Sequence, residues 1–198
     1  MSPQSFIFIG RSGAGKGTQA ALLMDALRKN DRLCGIQYIQ TGLELREFIK
    51  GTTYTEIQTK KAYETGALMP EFLTIYVWVK ALVERHLGSE HLIFDGTPRK
   101  YFEAGVLDSV FKFYNMPKPW VINLEIDSEV AVSRLLQRKR LDDGESAIRK
   151  RLAWYEAEVV PTVNFYRSNH DYHFLAIDGN KPVEDVHKDI LEKVGLIG

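Results

Sequence analysis

Short apolar runs alternate along the chain with longer stretches in which apolar side chains recur every three or four positions. Five of the runs are rich in β-branched and aromatic residues and have the length of a strand. Several are apolar on both faces, which is typical of strands buried inside a parallel sheet. The predicted strands cover 6–9, 36–39, 91–94, 120–126 and 172–177.

Helical periodicity fills the intervals between these strands. After a glycine-rich stretch, Ala20, Leu23 and Leu27 follow the spacing of one helix face. Further helices are predicted over 72–87, 128–136, 145–166 and 183–194, and the last of these has Pro182 at its start, where proline is tolerated. This alternation predicts an α/β fold with a five-stranded, doubly wound parallel sheet. We find no internal repeat or low-complexity linker, so a single domain over 1–198 is expected.

Composition narrows the class of protein. The 198 residues are 44% hydrophobic and 26% charged, as in ordinary globular proteins, and the formal net charge of zero argues against nucleic-acid or membrane partners. The single cysteine, Cys34, excludes an internal disulfide framework and a cysteine-cluster zinc site. No apolar run is long enough to span a membrane and the N-terminus does not resemble a signal peptide, so we expect a cytoplasmic protein. A monomer is expected as well, although no sequence feature determines the oligomeric state.

The stretch GRSGAGKGTQ at 10–19 carries the strongest chemical signal in the chain. Gly10, Gly15 and Lys16 match the spacing of the phosphate-binding motif G-x-x-x-x-G-K-[ST], but Gly17 stands between the lysine and Thr18. Glycines allow backbone N–H groups to surround an anion, and the following helix N-terminus adds a favourable dipole. We therefore predict that Lys16 reaches the β and γ phosphates of a nucleotide, and that Thr18 lies near a phosphate oxygen or magnesium.

Six segments resemble, in order, the adenylate kinase and nucleoside monophosphate kinase family in its short-lid form. They are GAGKGTQ at 13–19, QTGLELRE at 40–47, ETGALMP at 64–70, LIFDGTPR at 92–99, RLLQRKRLDDGESAIRKRL at 134–152 and DGNKPVEDV at 178–186. The resemblance covers nearly the whole chain. It implies a P-loop NTPase fold with a helical monophosphate-binding insertion at 41–70 and a short lid at 138–144, which is too short to hold a zinc knuckle.

The resemblance also implies a reaction and the residues that perform it, namely reversible phosphoryl transfer from MgATP to AMP, giving two ADP. The implied ATP-binding residues are Gly13, Gly15, Lys16, Gly17 and Thr18, with Arg134 against the adenine. Those implied for the monophosphate are Thr41, Gly42, Arg46, Met69, Thr74, Gly96, Arg99 and Glu103. Lys16, Arg99, Arg138, Arg140 and Arg151 are implied around the transferring group, where permanently charged, bidentate arginines suit phosphate oxygens. Asp95 and Thr18 are implied to hold Mg²⁺, in part through water.

The acceptor base is the least determined part of this prediction. Glu103 stands where adenylate kinases carry glutamine, and Thr74 stands where the family is usually aliphatic. An amide satisfies both the acceptor N1 and the donor N6 of adenine, whereas an ionised carboxylate suits the two N–H donors of guanine. Two alternatives therefore stay open beside AMP, a kinase for GMP or another base and a catalytically inactive nucleotide-binding module. His170 and His173 lack other nearby metal ligands in the sequence and are predicted to be surface residues.

Overall fold

A computed structural model describes residues 2–65, 67, 69–138 and 145–197, with the side chains of 138, 145 and 147 excepted. Its strands are β1 (Ser5–Gly10), β2 (Ile36–Gln40), β3 (His91–Asp95), β4 (Trp120–Glu125) and β5 (His173–Asp178). Its helices are α1 (Lys16–Asn30), α2 (Thr41–Phe48), α3 (Tyr54–Glu64), α4 (Glu71–Arg85), α5 (Tyr101–Phe113), α6 (Ser128–Arg138), α7 (Glu145–Trp154), α8 (Val160–Ser168) and α9 (Val183–Lys193). A π-helical segment, Tyr155–Val159, joins α7 to α8.

The strands form one parallel sheet in the order β2-β3-β1-β4-β5, which confirms the predicted α/β architecture. β1 is central and pairs with both β3 and β4, so that Phe8 lies beside Asp95 and Gly10 beside Leu124. Because all strands run the same way, their carboxyl ends meet at one edge of the sheet. The phosphate-loop motif follows β1 at this edge, where open α/β sheets bind ligands.

Side-chain alternation along β1 divides the core into two layers. Phe6 and Phe8 pack with helices α1 and α9 on one face, whereas Ile7 and Ile9 pack with α4, α5 and α8 on the other. All four side chains are almost completely buried. The apolar run that predicted β1 is therefore apolar because both faces of the strand are covered by helices.

The helices between β2 and β3 have a small core of their own. Leu45, Met69, Leu73 and Val77 form a buried cluster that is separate from the two layers on the sheet. At the start of α3, the Thr53 hydroxyl accepts a hydrogen bond from the backbone N–H of Glu56, whose carboxylate accepts in return from the Thr53 backbone, a capping box. The Thr53 hydroxyl also donates to that carboxylate, and these bonds lower the pKa of Glu56. No helix in the described part of the chain is both long and apolar enough to cross a membrane.

Two features differ from the predicted elements. Helix α5 was not predicted, although its buried residues Ala104, Leu107 and Phe111 follow a helical period. The single helix predicted over 145–166 is interrupted by the π-helical segment. Pro161 follows this segment; it has no amide hydrogen for the carbonyl four residues earlier, and its ring crowds that carbonyl, so the helix widens before the proline.

Candidate active site

A cavity of about 760 Å³ opens at the carboxyl edge of the sheet, between the phosphate loop and helices α2, α6, α7 and α9. Most of the predicted site residues line it, although they come from distant parts of the sequence. They are Gly13, Gly15, Lys16, Gly17, Thr18, Gly42, Arg46, Met69, Asp95, Gly96, Arg99, Arg134 and Arg151. The site predicted from separate motifs is therefore a single concave surface in the folded chain.

The phosphate loop has the backbone conformation that its glycines allow. Gly15 caps α1 with a φ of +89°, and Gly13 has a φ of +87°, values that side chains disfavour. A Cβ on Gly13 would also lie 2.9 Å from the carbonyl oxygen of Ala131. The Lys16 ammonium lies across the loop, where it donates to the carbonyl oxygens of Gly10 and Arg11 at 2.8 Å each. A positive group is thus held beside the N-terminus of α1, which favours an anion there.

Gly17, which departs from the usual motif, lies directly against the end of β3. A Cβ on this residue would be 3.2 Å from Gln40 Nε2 and 3.3 Å from Asp95 Oδ2. Asp95 is 5% exposed, and its Oδ2 accepts hydrogen bonds from Tyr38 Oη at 2.8 Å and Gln40 Nε2 at 2.7 Å. The absence of a side chain at position 17 therefore lets this carboxylate approach the phosphate loop.

Sequence reasoning missed Tyr38 and Gln40 as site residues. Both lie on β2, two positions apart, so the strand period places them on one face beside Asp95. The polar residues within this short strand were the signal that could have found them. Arg134, which sequence reasoning did single out, donates from Nη1 to the carbonyl oxygen of Gly179 at 3.0 Å and so bridges α6 to the end of β5.

Arg99 is fixed in the turn between β3 and α5 by contacts from several sides. Its Nε donates to the carbonyl oxygen of Gly96 at 3.0 Å, and its guanidinium carbon lies 5.6 Å from the centre of the Trp154 ring. Its backbone carbonyl accepts from the Thr162 hydroxyl at 3.2 Å, and its backbone N–H donates to Glu103 Oε2 at 2.9 Å. The guanidinium is thus held in a defined orientation where it lines the cavity.

The electrostatics around Arg99 show how this arginine is accommodated. Burial lowers the pKa of Arg99, and the negative charges of Glu103 and then Asp95 oppose that effect. Arg151, which is 8% exposed, also lies close enough to disfavour the charged form slightly. The cavity therefore holds a cluster of buried and partly buried positive groups, an arrangement suited to a multiply charged anion.

Three of the predicted monophosphate residues do not line the cavity, namely Thr41, Thr74 and Glu103, each at most 2% exposed. Glu103 and Thr74 bind each other, with the Thr74 hydroxyl 2.7 Å from Glu103 Oε1. Glu103 Oε2 accepts from the Thr97 hydroxyl at 3.1 Å as well as from the Arg99 backbone. The structure thus places the glutamate behind Arg99, within the cavity wall.

Part of the predicted catalytic set lies outside the described residues. The structure does not describe residues 139–144 of the predicted lid, which include Arg140, or the side chain of Arg138. His170 and His173 are described, and both are exposed, as predicted.

Away from the cavity, Asp31, Cys34 and His91 bring three potential metal ligands within 4.8 Å of one another. His91 Nδ1 accepts a hydrogen bond from the Gln4 backbone, so the neutral ring carries its proton on Nε2, the atom that would have to bind a metal. Burial lowers the pKa of His91, which favours that neutral ring. Burial also raises the pKa of Cys34, whose thiol donates to the Ser89 carbonyl. The proton on His91 Nε2 and the protonated Cys34 thiol both disfavour a metal ion at this cluster.

Comparisons with known proteins agree with the geometry of the cavity. A sequence model of the family described as adenylate kinase matches residues 8–171. Adenylate kinase 1 of Synechocystis sp. is 37% identical over 195 residues, which cover 96% of this chain and 96% of the relative. Adenylate kinase of Corynebacterium urealyticum is 35% identical, covering 93% and 96%, and adenylate kinase 1 of Nostoc sp. is 34% identical, covering 96% and 97%. The phosphate loop, the parallel sheet and these matches show that the chain belongs to the adenylate kinase family.

Proposed function

We propose that this protein is an adenylate kinase, which transfers the γ-phosphoryl group of MgATP reversibly to AMP and gives two ADP. The observation that carries the proposal is that one cavity joins the phosphate loop to arginines from four other segments. Lys16 and Thr18 line it from the loop, and Arg46, Arg99, Arg134 and Arg151 line it from other parts of the chain. A binding module would need the loop, but it would not need this second set of cations in the same cavity.

The proposed reaction is an in-line displacement at phosphorus. A phosphate oxygen of AMP forms a bond to the γ-phosphorus of ATP, and the bond between that phosphorus and the β–γ bridging oxygen breaks, so ADP leaves. Negative charge is spread over the three equatorial oxygens during the transfer. Lys16, Arg99 and Arg151 are proposed to neutralise that charge, with Arg138 and Arg140 approaching from the lid. Arg46 and Arg99 are proposed to hold the AMP phosphate, and Arg134 the ATP adenine.

The residues at the end of β3 fit a hydrated magnesium ion. Mg²⁺ prefers oxygen ligands and keeps several of its waters. Asp95 supplies a carboxylate at the cavity wall, and Thr18 supplies a hydroxyl from the first turn of α1. Both donors to Asp95 reach Oδ2, so Oδ1 is the oxygen proposed to accept from a magnesium-bound water. When bound, the ion would partly neutralise the negative charge of the nucleotide phosphates.

AMP is the proposed acceptor, in preference to GMP. The case for guanine depends on Glu103 and Thr74 facing the base, but in the structure these two side chains bind each other behind Arg99. The base side of the cavity has instead the largely apolar surfaces of Leu45, Tyr63 and Met69. The helices of 41–70 and the lid predicted at 138–144 are proposed to close over the two nucleotides and to exclude water from the transfer.

The test is an initial-rate assay of ADP formation with MgATP and each of AMP, GMP, CMP and UMP. We expect turnover with AMP well above that with the other three. Lys16→Met should lower kcat by at least about 100-fold, because it removes a charged donor from the transferring group. Lys29→Met, on the exposed end of the same helix, is the matched control and should behave as wild type. No turnover with any of the four nucleotides would refute the proposed activity.

A further inference from the structure

We propose that Glu103 is a positioning residue that acts through Arg99 on the phosphate of the bound monophosphate, and that it does not read the base. This inference rests on the proposed function, because it assumes that a nucleoside monophosphate binds beside Arg99. Adenylate kinases carry glutamine at this position, and the glutamate of this chain thereby has a specific role.

The hydrogen bonds of Glu103 all point into the protein. Oε1 accepts from the Thr74 hydroxyl at 2.7 Å, and Oε2 accepts from the Thr97 hydroxyl at 3.1 Å and from the Arg99 N–H at 2.9 Å. The residue is 2% exposed and lies outside the set that lines the cavity. Three of the roughly four acceptor positions of a carboxylate are thereby used by protein donors. The carboxylate ties α4, the β3–α5 turn and α5 together directly behind the arginine.

Charge gives this arrangement a functional consequence. Among the charges that act on Arg99, that of Glu103 ranks before that of Asp95. A partly buried cation is costly unless a partner compensates it, and the Glu103 carboxylate supplies that compensation before a phosphate binds. When a phosphate binds the guanidinium from the cavity side, it meets the field of the same carboxylate from behind. Glu103 therefore fixes the arginine and at the same time weakens its attraction for any phosphate.

The base has other surfaces to contact. Leu45, Tyr63 and Met69 line the cavity, and Leu45 and Met69 belong to the buried cluster under α4. An apolar slot with an aromatic side chain suits the face of a base. Recognition of the base by these side chains does not require the Glu103 carboxylate.

Glu103→Gln separates charge from geometry. The amide has the same shape, and its oxygen can accept from Thr97 and from the Arg99 backbone as before. The NH₂ group of the glutamine would face Thr74. The Thr74 hydroxyl can accept a hydrogen bond from it and turn its own hydrogen to the Glu71 carbonyl oxygen, which lies 3.0 Å from the Thr74 hydroxyl oxygen. The substitution therefore keeps the hydrogen-bond pattern and removes only the negative charge behind the guanidinium.

The experiment compares AMP with adenosine in the full-length wild type and in Glu103→Gln. The dissociation constant of AMP is measured by titration calorimetry, and that of adenosine by competition against AMP. We expect AMP to bind about tenfold more tightly to the variant, the scale of removing one unit charge several ångströms from a phosphate. Adenosine, which carries no phosphate, should change by less than about twofold. The relative kcat/KM for AMP, GMP, CMP and UMP should keep its order, because the base is contacted elsewhere.

Each other outcome overturns the inference. Adenosine that tightens as much as AMP, or a changed order of nucleotides, would mean that Glu103 reads the base. Unchanged AMP binding would mean a purely structural role. If Glu103→Gln does not fold, Thr97→Val allows the same comparison of AMP with adenosine. The valine removes one hydrogen-bond donor from Glu103 Oε2, so the carboxylate can shift its position relative to Arg99. Failure of the proposed function would appear separately, as wild-type protein that binds AMP but forms no ADP.

Discussion

Gly17→Ala tests whether the glycine that interrupts the phosphate-loop motif is required by its neighbours. Gly17 is the second residue of α1, and alanine is normally the better helix former. Its Cβ, however, would lie 3.2 Å from Gln40 Nε2 and 3.3 Å from Asp95 Oδ2. The new methyl group would therefore push apart the two atoms that form the 2.7 Å hydrogen bond between Gln40 and Asp95.

The two effects on stability have opposite signs and can be compared. Replacing a helical glycine by alanine gains at most about 1 kcal/mol, and less near a helix end. Weakening a buried hydrogen bond to a charged group costs about 1.5–3 kcal/mol. We therefore expect Gly17→Ala to lower the free energy of unfolding by about 1 kcal/mol, the difference between these values. Because the displaced carboxylate is the proposed magnesium group, the Mg²⁺ concentration for half-maximal rate should rise about tenfold.

Urea denaturation measures the first effect, and initial rates at varied Mg²⁺ with saturating nucleotides measure the second. Gly105→Ala is the matched control, because Gly105 is exposed in α5 and an added Cβ would meet nothing within 4 Å. That variant should gain about 0.5–1 kcal/mol of stability and keep the wild-type Mg²⁺ dependence. If Gly17→Ala were as stable as Gly105→Ala and needed no more magnesium, the steric account of this glycine would be refuted.

Three further predictions follow from contacts at other positions. Trp154→Leu should weaken AMP binding about fivefold in calorimetry, since it removes about 1 kcal/mol of cation–π contact with Arg99; equal AMP affinity would show that the ring does not orient the guanidinium. Burial lowers the pKa of His91, so the unfolded state takes up a proton before the folded state does, and stability should fall as pH drops below about 6.5. His91→Asn, which retains an acceptor for Gln4, should reduce the slope of melting temperature against pH in this range, and an unchanged slope would contradict the assignment. Thr53→Ala should cost about 1 kcal/mol in chemical denaturation by removing the α3 cap, and a loss below 0.3 kcal/mol would show that this cap is not required.

The sequence predicts an element of the fold where a local run of apolar residues directly reflects which side chains are buried. β1 and β3 are covered on both faces, so their central positions, FIFI and LIF, are all apolar and easy to recognise. The phosphate loop is equally local, because its glycines, lysine and following helix lie within ten residues. Asp95 and Arg99 follow a buried strand at the edge where ligands bind, and the structure places both on the cavity.

The surroundings of Glu103 could not be predicted in the same way. Its position in the motif predicts a side chain at the base, but its hydrogen-bond partners are set by Thr74, which is 29 residues away on another helix. The Thr74 hydroxyl reaches Glu103 only because α4 packs against α5, whereas Thr97 lies six residues before Glu103 in the preceding turn. The interruption near Pro161 is a different case, since the proline was visible in the sequence and its effect on the preceding turn follows from its chemistry.

The π-helical segment Tyr155–Val159 determines how the side-chain directions of α7 are rotated relative to those of α8. Each residue of an α-helix advances the direction of its side chain by about 100°, and a π turn accommodates one extra residue. Arg151 and Trp154 face the cavity before the segment, while Val163 and Tyr166 face the core after it. If the same residues formed a continuous α-helix, α7 would turn by about 100° relative to α8, the rotation of one residue. With α8 held by the core, Arg151 would then rotate away from the cavity, so the π turn absorbs one residue and allows α7 and α8 to serve two different surfaces.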